Sequence, residues 1–278
     1  MKKKISCLVV FLAFGISLFA QNNETDFFDS EPLGTPEPFL YSTSALTPDD
    51  LPWSVNYSGS YGNSVSGAFG YDGVGQQLAV KGYLGAKFTL YANAALGIPS
   101  DGSDVSSSQQ VEVIRNFIGG RSSQGLRFGL GLGANRDFTD VYSLLSRITG
   151  AFDTNRWKLG GNLLLEKSFS GDRDKVDVIT SIGVHYRLTG NFFAGIEGIG
   201  EDLEGLWEED EAEGGAKVML GPSLNLAPNR SRFSFSMSGG PVMYVTRSSV
   251  TNPAAIRELP SENGLTLRAR IIYSISGT

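Results

Sequence analysis

Cysteine and histidine are almost missing from this chain, with one of each, Cys7 and His185, in 278 residues. A single thiol cannot form an internal disulfide, and one cysteine with one histidine cannot complete a Cys/His metal site. After residue 20 no apolar run approaches the roughly 20 residues that a membrane-crossing helix needs. That shortage excludes a helical anchor. It does not exclude a barrel, whose strands alternate and escape hydropathy scans. Positive charge is also in short supply, with 23 Lys+Arg against 29 Asp+Glu. An acidic balance argues against nucleic acid as a partner. No cofactor motif is present. Gly129-Leu130-Gly131-Leu132-Gly133 has the wrong spacing for a phosphate loop and lies inside a strand pattern, so no cofactor is implied.

The N-terminus carries an export signature. Lys2, Lys3 and Lys4 precede an apolar run from Ile5 to Phe19, and Ala20 supplies the small residue before the cut. Residues 1–20 are therefore expected to be a signal peptide, although Leu18 is less ideal than Ala or Ser three positions before cleavage. Cys7 lies too early for a lipobox. Cleavage removes three of the 23 basic residues and no acidic one, taking the net charge from −6 to −9. Residues 21–52 are a different material. Pro32, Pro36, Pro38, Pro48 and Pro52 stand among Asp, Glu, Ser and Thr without a sustained period, so an extended, disordered periplasmic lead-in is expected.

Thirty-five glycines, seventeen phenylalanines and ten tyrosines suit a sheet protein, and from Trp53 the pattern has a period of two. In Gly125–Ala134, Leu126, Phe128, Leu130 and Leu132 face one way, while Gly125, Arg127, Gly129, Gly131 and Gly133 face the other. Twelve strands are expected: Trp53–Gly70 (bulged or broken near Gly62), Gln77–Leu84, Phe88–Ile98, Val111–Ile118, Leu126–Ala134, Val141–Phe152, Trp157–Phe169, Val176–Leu188, Phe192–Gly200, Ala216–Leu226, Arg232–Val245 and Leu265–Ile275. Ten is the alternative. Short connections (85–87, 153–156, 189–191, 227–231) fall on the side of the C-terminus. Long ones (99–110, 170–175, 201–215, 246–264) fall on the other, as in outer-membrane barrels.

Over Trp53–Ile275 the chain resembles a bacterial outer-membrane β-barrel. The hairpins Leu78–Ile98 and Ile182–Ile199, built around Tyr83-Leu-Gly-Ala-Lys-Phe88 and Tyr186-Arg-Leu-Thr-Gly-Asn-Phe-Phe193, carry that likeness. The resemblance implies an all-β, transmembrane, antiparallel up-and-down barrel over residues 53–278, surrounded by outer-membrane lipid. It also implies insertion by the barrel-assembly machinery. The ending Tyr273-Ser-Ile-Ser-Gly-Thr278 departs from the terminal aromatic that such proteins often carry.

A charge facing lipid at mid-membrane costs roughly 2–4 kcal/mol, so the charged faces are assigned to the lumen. That assignment places Lys81, Arg127, Arg147, Lys158, Arg187, Lys217, Arg268 and Arg270 inside, against Glu166, Asp177 and Glu197. Two readings of this cationic interior stay open. The groups pair and fill a narrow barrel, or they line a hydrated pore that favours anions. His185 falls in the lumen beside Arg187, as a packing residue rather than a catalytic one. The acidic stretch from Glu201 to Glu213 lacks EF-hand spacing; Glu208, Asp210 and Glu211 are its weak metal candidates. Two functions follow: a passive pore for small solutes, anions among them, or a non-conducting surface barrel whose loops bind a partner or stabilise the envelope.

Overall fold

Period-two alternation with apolar residues on one face only forces a sheet to hide one side, and closing the sheet on itself also removes its edges. The computed structural model describes residues 37–47, 51–100, 102–119, 121, 124–169, 176–206, 216–228, 231–245 and 263–275. It shows a closed antiparallel barrel of twelve strands in sequence order. They are β1 (Trp53–Asn63), β2 (Gly73–Gly85), β3 (Phe88–Pro99), β4 (Ser106–Ile118), β5 (Gly125–Arg136), β6 (Tyr142–Asp153), β7 (Trp157–Ser168), β8 (Asp177–Thr189), β9 (Phe192–Glu201), β10 (Lys217–Leu226), β11 (Phe233–Tyr244) and β12 (Gly264–Ile275). The seam between the first and last strands runs from Trp53 opposite Ile275 to Asn63 opposite Leu265. Each expected strand has its counterpart. The signal peptide expected at 1–20 lies outside the described residues.

Three boundaries differ from expectation by four residues or more for a physical reason, among them the start of β2 at Gly73 rather than Gln77. β4 begins at Ser106 rather than Val111, because Ser106–Gln110 keep their ladder pairing with Gly97–Asn93 of β3 despite lacking apolar residues. Pairing needs only backbone, so a strand can run past the apolar layer into polar sequence. The first strand stops at Asn63, and the chain turns into the lumen through a short 3₁₀ turn, Gly67–Phe69, before β2 starts at Gly73. The two-residue connection Ala86-Lys87 between β2 and β3 has positive φ at both residues (47° and 66°). That geometry matches the twist of a two-residue hairpin. On the opposite side the connection 137–141 is also compact, because the Asp137 carboxylate accepts hydrogen bonds from the Thr139 and Val141 amides.

The exterior is apolar. Leu78, Leu132 and Ile182 are 55, 71 and 63 % exposed and all face outward. Around the short-turn end, outward-facing Trp53, Trp157, Tyr186, Phe233 and Tyr273 form an aromatic rim, with Trp157 on Tyr186 and Phe233 on Tyr273. Such a girdle marks the level of lipid headgroups. The interior is polar: Ser54, Thr89, Glu112, Arg147, Asn162 and His185 are buried. A soluble protein would have these two surfaces the other way round.

Candidate functional site in the barrel lumen

The alternation carries all eight expected cations to inward-facing positions. Lys81, Arg127, Arg147, Lys158, Arg187, Lys217 and Arg270 are buried, and Arg268 is half-buried. The expected excess of positive charge does not hold. Five further carboxylates are buried: Glu37, Glu112, Asp153, Glu201 and Asp202. Arg147 meets Glu112 at 2.8 Å, Arg127 meets Asp153, and Lys217 stands 4.0 Å from Glu201. Lys81 and Arg270 both reach Glu37, at 3.3 and 3.2 Å. Lys158 and Arg187 lie over the Phe193 ring, and Arg268 lies over Tyr41. A charge taken from water needs a partner, so a narrow interior collects both signs. Alternation alone could have shown Glu112, between outward Val111 and Val113, and Asp153, in step with Arg147 and Thr149. Glu201 and Asp202, grouped by sequence with a solvated acidic run, are instead buried, the first as the last residue of β9 and the second just past it at a positive φ. The weak metal candidates Glu208, Asp210 and Glu211 lie outside the described residues.

The larger correction concerns the lead-in. Residues 37–47, expected to be disordered beneath the barrel, are inside it, with Glu37, Phe39, Leu40, Tyr41, Leu46 and Thr47 all buried. A chain in this position makes no ladder, so its backbone groups must find side-chain partners. The wall supplies them. The Glu197 carboxylate accepts from the Leu40 and Tyr41 amides at 2.9 and 3.1 Å. Arg270 donates to the carbonyls of Glu37 and Phe39 at 2.8 and 2.6 Å. Asn162 holds Thr43 twice, accepting from its amide and donating to its carbonyl, which Thr149 also reaches. Thr89 donates to the Ala45 carbonyl, and Arg121 donates to that of Thr47.

These contacts fix the course of the segment. Glu37 sits by Lys81, low in β2. Tyr41 reaches Thr266 near the long-connection end of β12. Ala45 and Thr47 return to Thr89, beside the Ala86-Lys87 turn, and to Arg121 in the β4–β5 connection. The segment therefore rises from the short-turn side, bends near Tyr41-Ser42 and comes back down. Its Phe39 ring lies against Gly160 and Gly183, which face one another across β7 and β8. A Cβ at Gly183 would overlap the ring, and one at Gly160 would come within 2.9 Å of it. Phe39 also packs on His185, ring centroids 4.5 Å apart. At the bend, Leu40 and Tyr41 join Val65, Phe69, Ile199, Met219 and Val242 in an apolar cluster inside the lumen. Phe69 arrives there from the long-connection side, so two inward folds meet.

Above the bend lies a cavity of about 800 Å³, reaching the long connections at Tyr71, Ser100 and Phe138 and floored by Leu40–Thr43. Its wall mixes apolar side chains and the arginines Arg136, Arg147, Arg268 and Arg270 with amides and hydroxyls; Ser58 bonds Gln77, Asn93 donates to Gln110, and Gln110 donates to Glu112. A second, small pocket beside Arg127, Asp153 and Gly160 holds about 20 Å³, room for about one water. His185, Ser223 and Glu197 form a hydrogen-bonded row, His185 Nε2 to Ser223 Oγ at 2.7 Å and Ser223 Oγ donating to Glu197. The serine stands between the other two, so the carboxylate orients the serine and not the imidazole, unlike the arrangement of a hydrolase triad.

No family model matches the sequence, and no curated protein is similar to it. Solved structures are. The KdgM porin in complex with disordered oligogalacturonate shares a TM-score of 0.53 at 10 % identity, over 80 % of this chain and 99 % of that one. The NanC porin gives 0.55 at 9 %, over 80 % and 100 %. An outer-membrane channel from Pseudomonas putida F1 gives 0.54 at 12 %, over 86 % and 99 %. The fold is that of an outer-membrane porin. At these identities the porin likeness is one of architecture, and the lumen contents described above belong to this chain.

Proposed function

We propose that the chain, exported by its signal peptide, forms an outer-membrane pore for small solutes that its own Glu37–Thr47 segment holds closed. A polar, charge-lined interior inside an apolar exterior supports the pore. The observation that carries the closure is the segment itself: side-chain contacts hold it and strand pairing does not, so it can leave with every ladder intact. Withdrawal takes Glu37 out of the lumen and leaves Lys81 and Arg270 facing the passage, which favours anions. The same tight filling supports the second reading, a surface barrel that never conducts.

Conductance in planar bilayers separates the two. The full-length protein should conduct little, whereas a variant lacking residues 37–47 should open a steady pore. Under a salt gradient its reversal potential should have the anion-selective sign, most clearly at low salt, where screening is weak. A deletion variant that folds but stays silent would leave the non-conducting reading standing.

A further inference from the structure

We infer that Lys81, Arg270 and Asn56 form a carboxylate-binding site in the lumen, occupied in this structure by the protein's own Glu37. The inference rests on the pore proposed above and deepens it by naming a solute class, small organic carboxylates. One carboxylate oxygen of Glu37 lies 3.3 Å from Lys81 Nζ. The other lies 3.2 Å from Arg270 Nη1 and accepts from Asn56 Nδ2 at 3.5 Å. A carboxylate with its two oxygens divided between two cations is held in orientation as well as in place. Glu37 and Lys81 are buried to within 2 % of full enclosure.

The three wall residues come from neighbouring strands at the seam. Lys81 pairs with Ser54, and Arg270 with Ser58, so Asn56 stands one inward step above the first and one below the second. The barrel ladder sets this spacing whether or not the segment is present. Glu37, in contrast, belongs to a stretch in the lumen that has no ladder. The clamp is part of the wall, and the carboxylate is a tethered guest. When the segment leaves, Lys81 and Arg270 lose the carboxylate that both contact, while the wall geometry that divided its two oxygens remains to receive another. The end of a glutamate side chain is a methylene and a carboxylate, so acetate reproduces the group that the clamp holds. Chloride, a single centre, cannot give one oxygen to each cation.

The test is chemical rescue in the full-length protein. Glu37→Ala should lower the temperature at which the folded form is lost on unboiled gels, by roughly 10 °C in chloride. Acetate at equal ionic strength should restore at least half of that loss. An equal gain in acetate for the parent protein would assign the effect to the salt in general and overturn the site, as would a Glu37→Ala protein with no loss at all. Should Glu37→Ala fail to fold, the variant lacking residues 37–47 supplies the second measurement. Acetate should raise its unfolding temperature above that in equimolar chloride, and Lys81→Met in the same background should cancel the difference. No acetate-specific shift there overturns the site. Failure of the pore itself reads separately, as absent conductance in a variant that still shows the shift.

Discussion

Phe39 illustrates how one residue can decide the state of a lumen. Its ring has a seat only because positions 160 and 183, paired across two strands, both lack a side chain. Gly183→Val should therefore expel the ring, since overfilling a packed site costs about 1–3 kcal/mol and the segment has no ladder to resist. The full-length Gly183→Val protein should gain conductance toward that of the deletion variant, and adding Phe39→Ala should close it again. Gly150→Val is the control, because nothing lies within 4 Å of a Cβ there; its conductance should match the parent. The sequence displays these glycines as ordinary members of alternating strands and offers no sign that they form a slot. By the same measure Glu112 and Asp153 were readable as inward residues. Glu37 was not, because a lone carboxylate among prolines has no period to place it.

At the scale of elements, the twelve strands were legible because each repeats one local rule, and even the break after Gly62 announced itself. Strand ends were less so, as β4 shows, since backbone pairing continues where apolar alternation stops. The segment 37–47 escaped for the opposite reason. It follows no local rule, and its partners Asn162, Glu197 and Arg270 lie more than a hundred residues away. The connections carry a further expectation. If the short turns face the periplasm, a tag inserted at Ser103, between β3 and β4, should be labelled on intact cells. One at Asn155, between β6 and β7, should react only after the outer membrane is opened. The reverse pattern would turn the barrel over, and with it the mouth from which the segment enters.

The whole molecule presents an apolar exterior, an aromatic rim and a polar interior, a combination that water would not tolerate in a monomer. The chain should therefore fractionate with outer membranes, require detergent for extraction and migrate differently on gels before and after boiling. Its circular dichroism should be dominated by sheet. Recovery from the periplasm without detergent, or a helical spectrum, would contradict the architecture as a membrane protein. This level was the most legible in the sequence, because the fold follows from a pattern repeated along more than two hundred residues, whereas the contents of the lumen follow from single contacts.

The bend at Tyr41-Ser42 has a topological consequence. A strand running through the barrel from mouth to mouth would be threaded, and freeing it would mean drawing its whole length past every constriction. The described limbs of this segment both point to the same mouth, so the loop they make is not linked through the ring of strands. It can be drawn out and returned as a finger is from a sleeve, and the ring keeps no record of the passage.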